Sequence, residues 1–78
     1  MRFIFTMHMP SVSGNLVHQI IGDHPAQSLA ELAMELSSCD FLVVNEFYKD
    51  DSAGRSGLAS RGPISLNCMH IGKIKEFV

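Results

Sequence analysis

Only one stretch of this chain carries a helical pattern, and it limits the folds available to everything around it. Ser28-Leu-Ala-Glu31 reads as a capping box: the serine oxygen can accept the amide of the third helical residue, while the glutamate reaches back to the cap amide. Leu29, Leu32, Ala33 and Leu36 follow at helical spacing, giving one apolar stripe about three turns long, with Glu31 and Glu35 turned toward water. Pro25 can start an earlier turn. Ser37-Ser-Cys-Asp40 continues a helix poorly and marks the exit.

The flanking sequence alternates instead. Phe3, Phe5, Met7 and Met9 share one face of a strand over Arg2 to Met9, with Thr6 and His8 on the other. Pro10 to Asn15 is dense in turn formers and predicts a reversal, and Leu16 to Ile21 predicts the return strand of a hairpin ended by Gly22-Asp-His-Pro25. Phe41 to Tyr48 is the strongest strand. It is apolar on both faces at first, which predicts a central position. From Ile64 to Phe77 the pattern fits two strands around a tight turn at Asn67 to His70, the last carrying Ile71, Ile74 and Phe77. A single long strand bent at Gly72 is the alternative. The order is ββαβββ, and one amphipathic helix needs an apolar sheet face to cover. The expected fold is therefore α+β with two layers: an antiparallel sheet of about five strands packed against one helix, in a single domain over residues 1–78.

Composition narrows the function classes. Six Lys and Arg against eight Asp and Glu leave a net charge of -2, too mild for electrostatic duplex binding or for DNA mimicry. A charged fraction of 18% argues against disorder and leaves little surface charge, which favours a partner or self-association. Two cysteines make no disulfide framework, no signal peptide is visible, and no run approaches the roughly 20 apolar residues of a membrane span. The expectation is a cytoplasmic protein with reduced thiols.

Signals for chemistry are weak. Among possible ligands the only close spaced pair is Cys68-Met-His70; His8 and His18 can face each other across the first hairpin, and Asp23-His24 are adjacent. None has a metal-site spacing, so no metal and no cofactor is expected. Gly54-Arg-Ser-Gly57 lacks the last glycine and the following helix of a nucleophile elbow. Cys39 sits at a helix exit, where the dipole opposes thiolate formation, and Asp50-Asp51 have no apolar pocket. No enzyme is expected. Gly54, Gly57 and Gly62 with Arg55 and Arg61 lead into a strand, so they match no phosphate loop. A nucleic-acid-binding sheet face wants aromatics beside basic residues, but Phe3, Phe5 and Phe47 fit the core face better, so no direct nucleic-acid contact is expected.

What remains is recognition of another protein. The Lys49 to Gly62 segment is longer than a strand connection requires and mixes both charge signs. Lys49, Asp50, Asp51, Arg55 and Arg61 are the candidate partner-binding residues, arginine for its bidentate fork. A solvated connector is the competing reading of the same loop.

In format the chain resembles the small anti-CRISPR proteins of phages and mobile elements: one acidic domain under a hundred residues, a ββαβββ pattern, no catalytic signature, and a loop or edge for docking. The resemblance implies a stoichiometric inhibitor acting in the host cytoplasm as a monomer or weak homodimer. It would bind a subunit of a host complex such as a type I CRISPR effector and block target-DNA binding. The alternatives are a small metal- or ligand-binding domain using His8, His18, Cys68 or His70, and a self-associating phage structural or accessory protein.

Overall fold

A computed structural model of the chain describes residues 1–12, 14–50 and 57–77. Strands β1 (Arg2–Ser11) and β2 (Gly14–Asp23) form a hairpin. Helix α1 (Leu29–Leu36) follows, then β3 (Phe41–Lys49) and β4 (Leu58–Asn67); a 3₁₀ turn over Cys68–His70 leads into β5 (Ile71–Glu76). All five strands lie in one antiparallel sheet, in the spatial order β4-β3-β2-β1-β5. Five antiparallel strands and a single helix thus make the α+β architecture that the alternation and the capping box require.

The alternation in β1 sorts its side chains as a half-buried strand should: Phe3, Phe5 and Met7 enter the core, and Ile4, Thr6 and His8 point to the other face. Each fully buried side chain of this size contributes about 1.5–3 kcal/mol. The core joins them to Ala26, Leu32 of α1, Leu42 and Val44 of β3, and Leu66 of β4.

The sheet cannot be flat. β4 and β5 lie at opposite ends of the strand order, yet only Cys68–His70 separate them. Four Cα steps reach at most about 15 Å, whereas four strand spacings of a flat sheet need about 19 Å. The sheet therefore curls. β2 pairs with β3 over Ile21–Asp23 alone, so the β3–β4 hairpin is free to cross the inner face of β1 and β2. Two bulges assist, one where Arg61 is the extra residue opposite Glu46 and Phe47, the other where Gly72 is extra opposite Thr6 and Met7. Gly62, at φ +90°, supplies the left-handed residue of the first. The crossing is tight. A Cβ on Gly22 would lie 2.7 Å from Val44 Cγ2 and 3.2 Å from Phe5 Cε2, so only glycine lets β3 pass this close.

The helix covers the same residues as its apolar stripe, Leu29–Leu36, which is little more than two turns. Ser28 Oγ accepts the Glu31 amide at 3.1 Å, as a capping box requires. The glutamate, however, accepts from the Gln27 amide at 2.9 Å instead of the Ser28 amide. Glu76 at the end of β5 accepts the Leu29 amide at 3.3 Å, pinning the helix start to the sheet. At the other end, Ser37 Oγ donates to the Met34 carbonyl and Ser38 Oγ to that of Glu35, and these side chains end the helix after eight residues. Leu32 alone of the stripe is fully buried and Leu36 is half-buried. Leu29 and Ala33 stay exposed along a groove beside Ile71 and Ile74 of β5.

β3 also departs from expectation. Leu42 and Val44 are buried, but Phe41 and Val43 are 61% and 62% exposed, so its double-sided apolar start is covered on one side only. It is flanked by β2 and β4, one strand in from the sheet edge. The last segment forms two strands, as Asn67 directs: its Oδ1 accepts the Met69 amide at 3.0 Å and opens the 3₁₀ turn.

Candidate functional site

The end of the β3–β4 hairpin was the segment singled out for contact, and the structure reorganises that choice. Lys49 closes β3 and is exposed; Asp50 is half-buried, and its amide donates to the Gly57 carbonyl at 2.8 Å, extending the strand pairing. Asp51 and Arg55 lie outside the described residues. Arg61 is the extra residue of the β4 bulge, which turns its guanidinium over the Tyr48 ring at 4.5 Å. The bulge is held by Ser60, whose Oγ accepts the Gly62 amide at 3.2 Å and donates to Asn45 Oδ1 at 3.4 Å.

A second stack lies on the opposite side of β3. Strand parity puts Leu42, Val44, Glu46 and Tyr48 on one side of β3, and Phe41, Val43, Asn45 and Phe47 on the other. Phe47, expected in the core, therefore lies on the outer face opposite Ile21, and the Arg2 guanidinium covers its ring at 4.6 Å. Where β2 and β3 part, a hollow of about 340 Å³ opens between these stacks, with Ile4, Ile21, Phe47 and Phe77 as its apolar lining and Lys49 and Arg61 at its rim.

Cations outnumber carboxylates around it, where Glu46 lines the hollow with Lys49 and Arg61. Lys73 and Lys75 pair with Thr6 and Ile4, on the same outer face as Arg2. Among the described residues no carboxylate forms an ion pair with Arg2, Lys49, Arg61, Lys73 or Lys75. Glu31, Glu35 and Asp40 belong to the helical segment, whereas Asp23 lies opposite Arg2 and binds the N-terminal amine, and Glu46 lines the hollow. A chain of net charge -2 therefore presents a sheet face rich in unpaired cations. Arginine stacked on an aromatic ring keeps its planar donors directed outward, ready for a carboxylate.

The ligand candidates scatter. His8 pairs with Val17 and His18 with Met7, so the two imidazoles lie on opposite faces, one residue out of register with each other. His8 packs against the main chain at Gly72. Asp23 binds the N-terminal amine at 3.2 Å. His24 is buried, its Nδ1 accepting the Ala26 amide at 3.0 Å. Among the described residues no three His, Cys, Asp or Glu side chains gather into a metal-holding group. Cys68 meets Cys39 and not His70, with the sulfurs 3.7 Å apart.

Arg2 and Phe47 were missed because no local spacing links residue 2 to residue 47. The one available signal was parity, which separates Phe47 from Val44. Among the described residues no helix is long and apolar enough to cross a membrane. No protein-family model, no curated protein and no solved structure matches this chain. Fold and surface together define a small α+β domain with a cationic, aromatic sheet face.

Proposed function

We propose that this chain is a non-catalytic protein-binding module whose outer sheet face seats on an acidic protein surface. The observation that carries the reading is the Arg2–Phe47 guanidinium–aromatic stack on this face, with the Arg61–Tyr48 stack on the other side of β3, the two flanking one apolar hollow. Tyrosine, arginine and phenylalanine at a desolvated centre with charges around it are the usual makings of a protein contact. Few cations and a net charge of -2 weigh against a phosphate backbone as the partner, because counterion release rewards many contacts. In its narrow form the proposal is an anti-CRISPR-type inhibitor, which occupies a subunit of a type I effector complex and blocks target-DNA binding in the host cytoplasm. The narrow form is supported by the small acidic format alone.

The test uses immobilised wild-type protein, Arg61→Ala and Arg2→Ala with a purified type I effector, and labelled single- and double-stranded DNA in parallel. Expected are capture of the effector, loss of its target-DNA binding, and at least a tenfold weakening by either substitution. Direct DNA binding by the small protein at physiological salt would overturn the protein-binding reading. Failure to capture this effector, with no DNA binding, would remove the narrow form.

A second reading, self-association, has its own observation. β5 follows β1 only as far as Met7, and β3 joins β2 only at Ile21, so the rest of the first hairpin projects as a two-stranded arm. Met9, Val12, Leu16 and Val17 are exposed on it. Two-stranded ribbons are marginal alone, and apolar ones gain from a second copy. A constant monomer mass in light scattering up to millimolar concentration would exclude this reading.

A further inference from the structure

Two half-buried thiols that the sequence keeps far apart meet at one corner of the fold. Cys39 follows the exit of α1, and Cys68 opens the 3₁₀ turn between β4 and β5. Their Sγ atoms are 3.7 Å apart. Their main chains are tied side by side, because the Cys68 amide donates to the Asp40 carbonyl at 2.9 Å. A disulfide requires the sulfurs at roughly 2.05 Å, a further approach of about 1.7 Å shared between two side chains. Neither cysteine belongs to a strand or to α1, so the local backbone has room to adjust without breaking a ladder.

We propose that Cys39 and Cys68 form a modification site: an intramolecular disulfide made by exchange with a small-molecule disulfide of the glutathione class. In the first step the Cys39 thiol loses its proton and attacks one sulfur of the small disulfide. The departing thiolate takes up a proton, and Cys39 is left in a mixed disulfide. In the second step Cys68 gives up its proton and attacks the Cys39 sulfur, releasing the second small thiol. Two protein thiols are oxidised and one small disulfide is reduced to two thiols, so hydrogens and electrons balance.

The order of attack follows from the surroundings of Cys68. Burial first, then the hydrogen bond with Cys39 and the nearby Cys39 and Asp40 charges, push its thiol up to about 11. A thiol held protonated initiates exchange slowly, which makes Cys39 the entry point and Cys68 the resolving partner. The bond would close a loop of about 30 residues containing β3 and β4, and would tie the helix exit to the connection between the two edge strands.

The experiment equilibrates the reduced full-length protein with mixtures of reduced and oxidised glutathione, quenches with acid, alkylates, and reads intact masses. The expected product is two hydrogens lighter than the reduced chain, carries no glutathione, resists alkylation at both cysteines, and reverts with dithiothreitol. Its melting temperature should rise by on the order of 10 °C. Cys39→Ser and Cys68→Ser should each stop at a single mixed disulfide with glutathione. Wild-type protein that accumulates glutathione adducts, joins into disulfide-linked dimers, or stays alkylatable at both cysteines in the most oxidising mixture would overturn the proposal. The wild-type masses decide this even where a serine variant fails to fold.

Discussion

Glu35 reaches from the last turn of α1 to the buried ring of His24, with its Oε2 3.2 Å from His24 Nε2. The other ring nitrogen accepts the Ala26 amide, so the neutral ring carries its proton on Nε2 and donates it to the carboxylate. His24 also exchanges two backbone hydrogen bonds with Met1, at 3.0 and 2.8 Å. One residue thus joins the N-terminus, the segment that carries Ala26 into the core, and the helix.

His24→Ala should therefore destabilise the fold by about 2–4 kcal/mol, since it leaves the buried Ala26 amide without a partner and opens a void. Glu35→Gln keeps an acceptor for Nε2–H, and should cost under about 1 kcal/mol because the carboxylate side is half in water. Urea denaturation of both variants measures the difference.

Gly22→Ala should cost about 1–3 kcal/mol, because the added methyl must push Val44 and Phe5 apart in a closed core. Gly57→Ala meets nothing within 4 Å and should stay within about 0.5 kcal/mol of wild type. Equal effects at the two glycines would contradict the close crossing of β3 over β2.

Stability should fall as pH rises from about 9 to about 11. The Cys68 thiol ionises near 9.0 when unfolded and is raised to about 11 in the fold, chiefly by burial. Across that window the unfolded chain holds fewer protons, so alkali favours it, and the contribution is fully present only below pH 9. Chemical-denaturation midpoints at pH 8, 10 and 11 should decline more steeply for wild type than for Cys68→Ser. Matching slopes would remove the claim that burial holds this thiol protonated.

Arg61→Lys separates charge from shape at the proposed contact. Lysine keeps the positive charge but loses the planar stack on Tyr48, so partner binding should weaken nearly as much as with Arg61→Ala. The melting temperature should hardly move, as the stack is at the surface. Full binding by the lysine variant would mean that Arg61 acts as a point charge only.

The features legible in the sequence were those decided within a few residues. Strand alternation separated Phe3, Phe5 and Met7 from Thr6 and His8, although Met9, placed on the same face, is exposed; the Ser28 cap and the Asn67 turn each rest on an acceptor two or three residues from its amide. The candidate contact residues were legible only in part. Lys49 and Arg61 do border the hollow, but its aromatic and basic partners Phe47 and Arg2 come from distant strands.

Period, cap and turn chemistry, all short-range, determined that this chain makes one antiparallel sheet and one helix. Tertiary structure decided the rest. The three-residue link between opposite edge strands forces the sheet to curl, and that curl takes β3 across Gly22 and leaves the β2–β3 fork open. Which face Phe47 occupies, and that Cys39 meets Cys68, depend on chain crossings that no local pattern encodes.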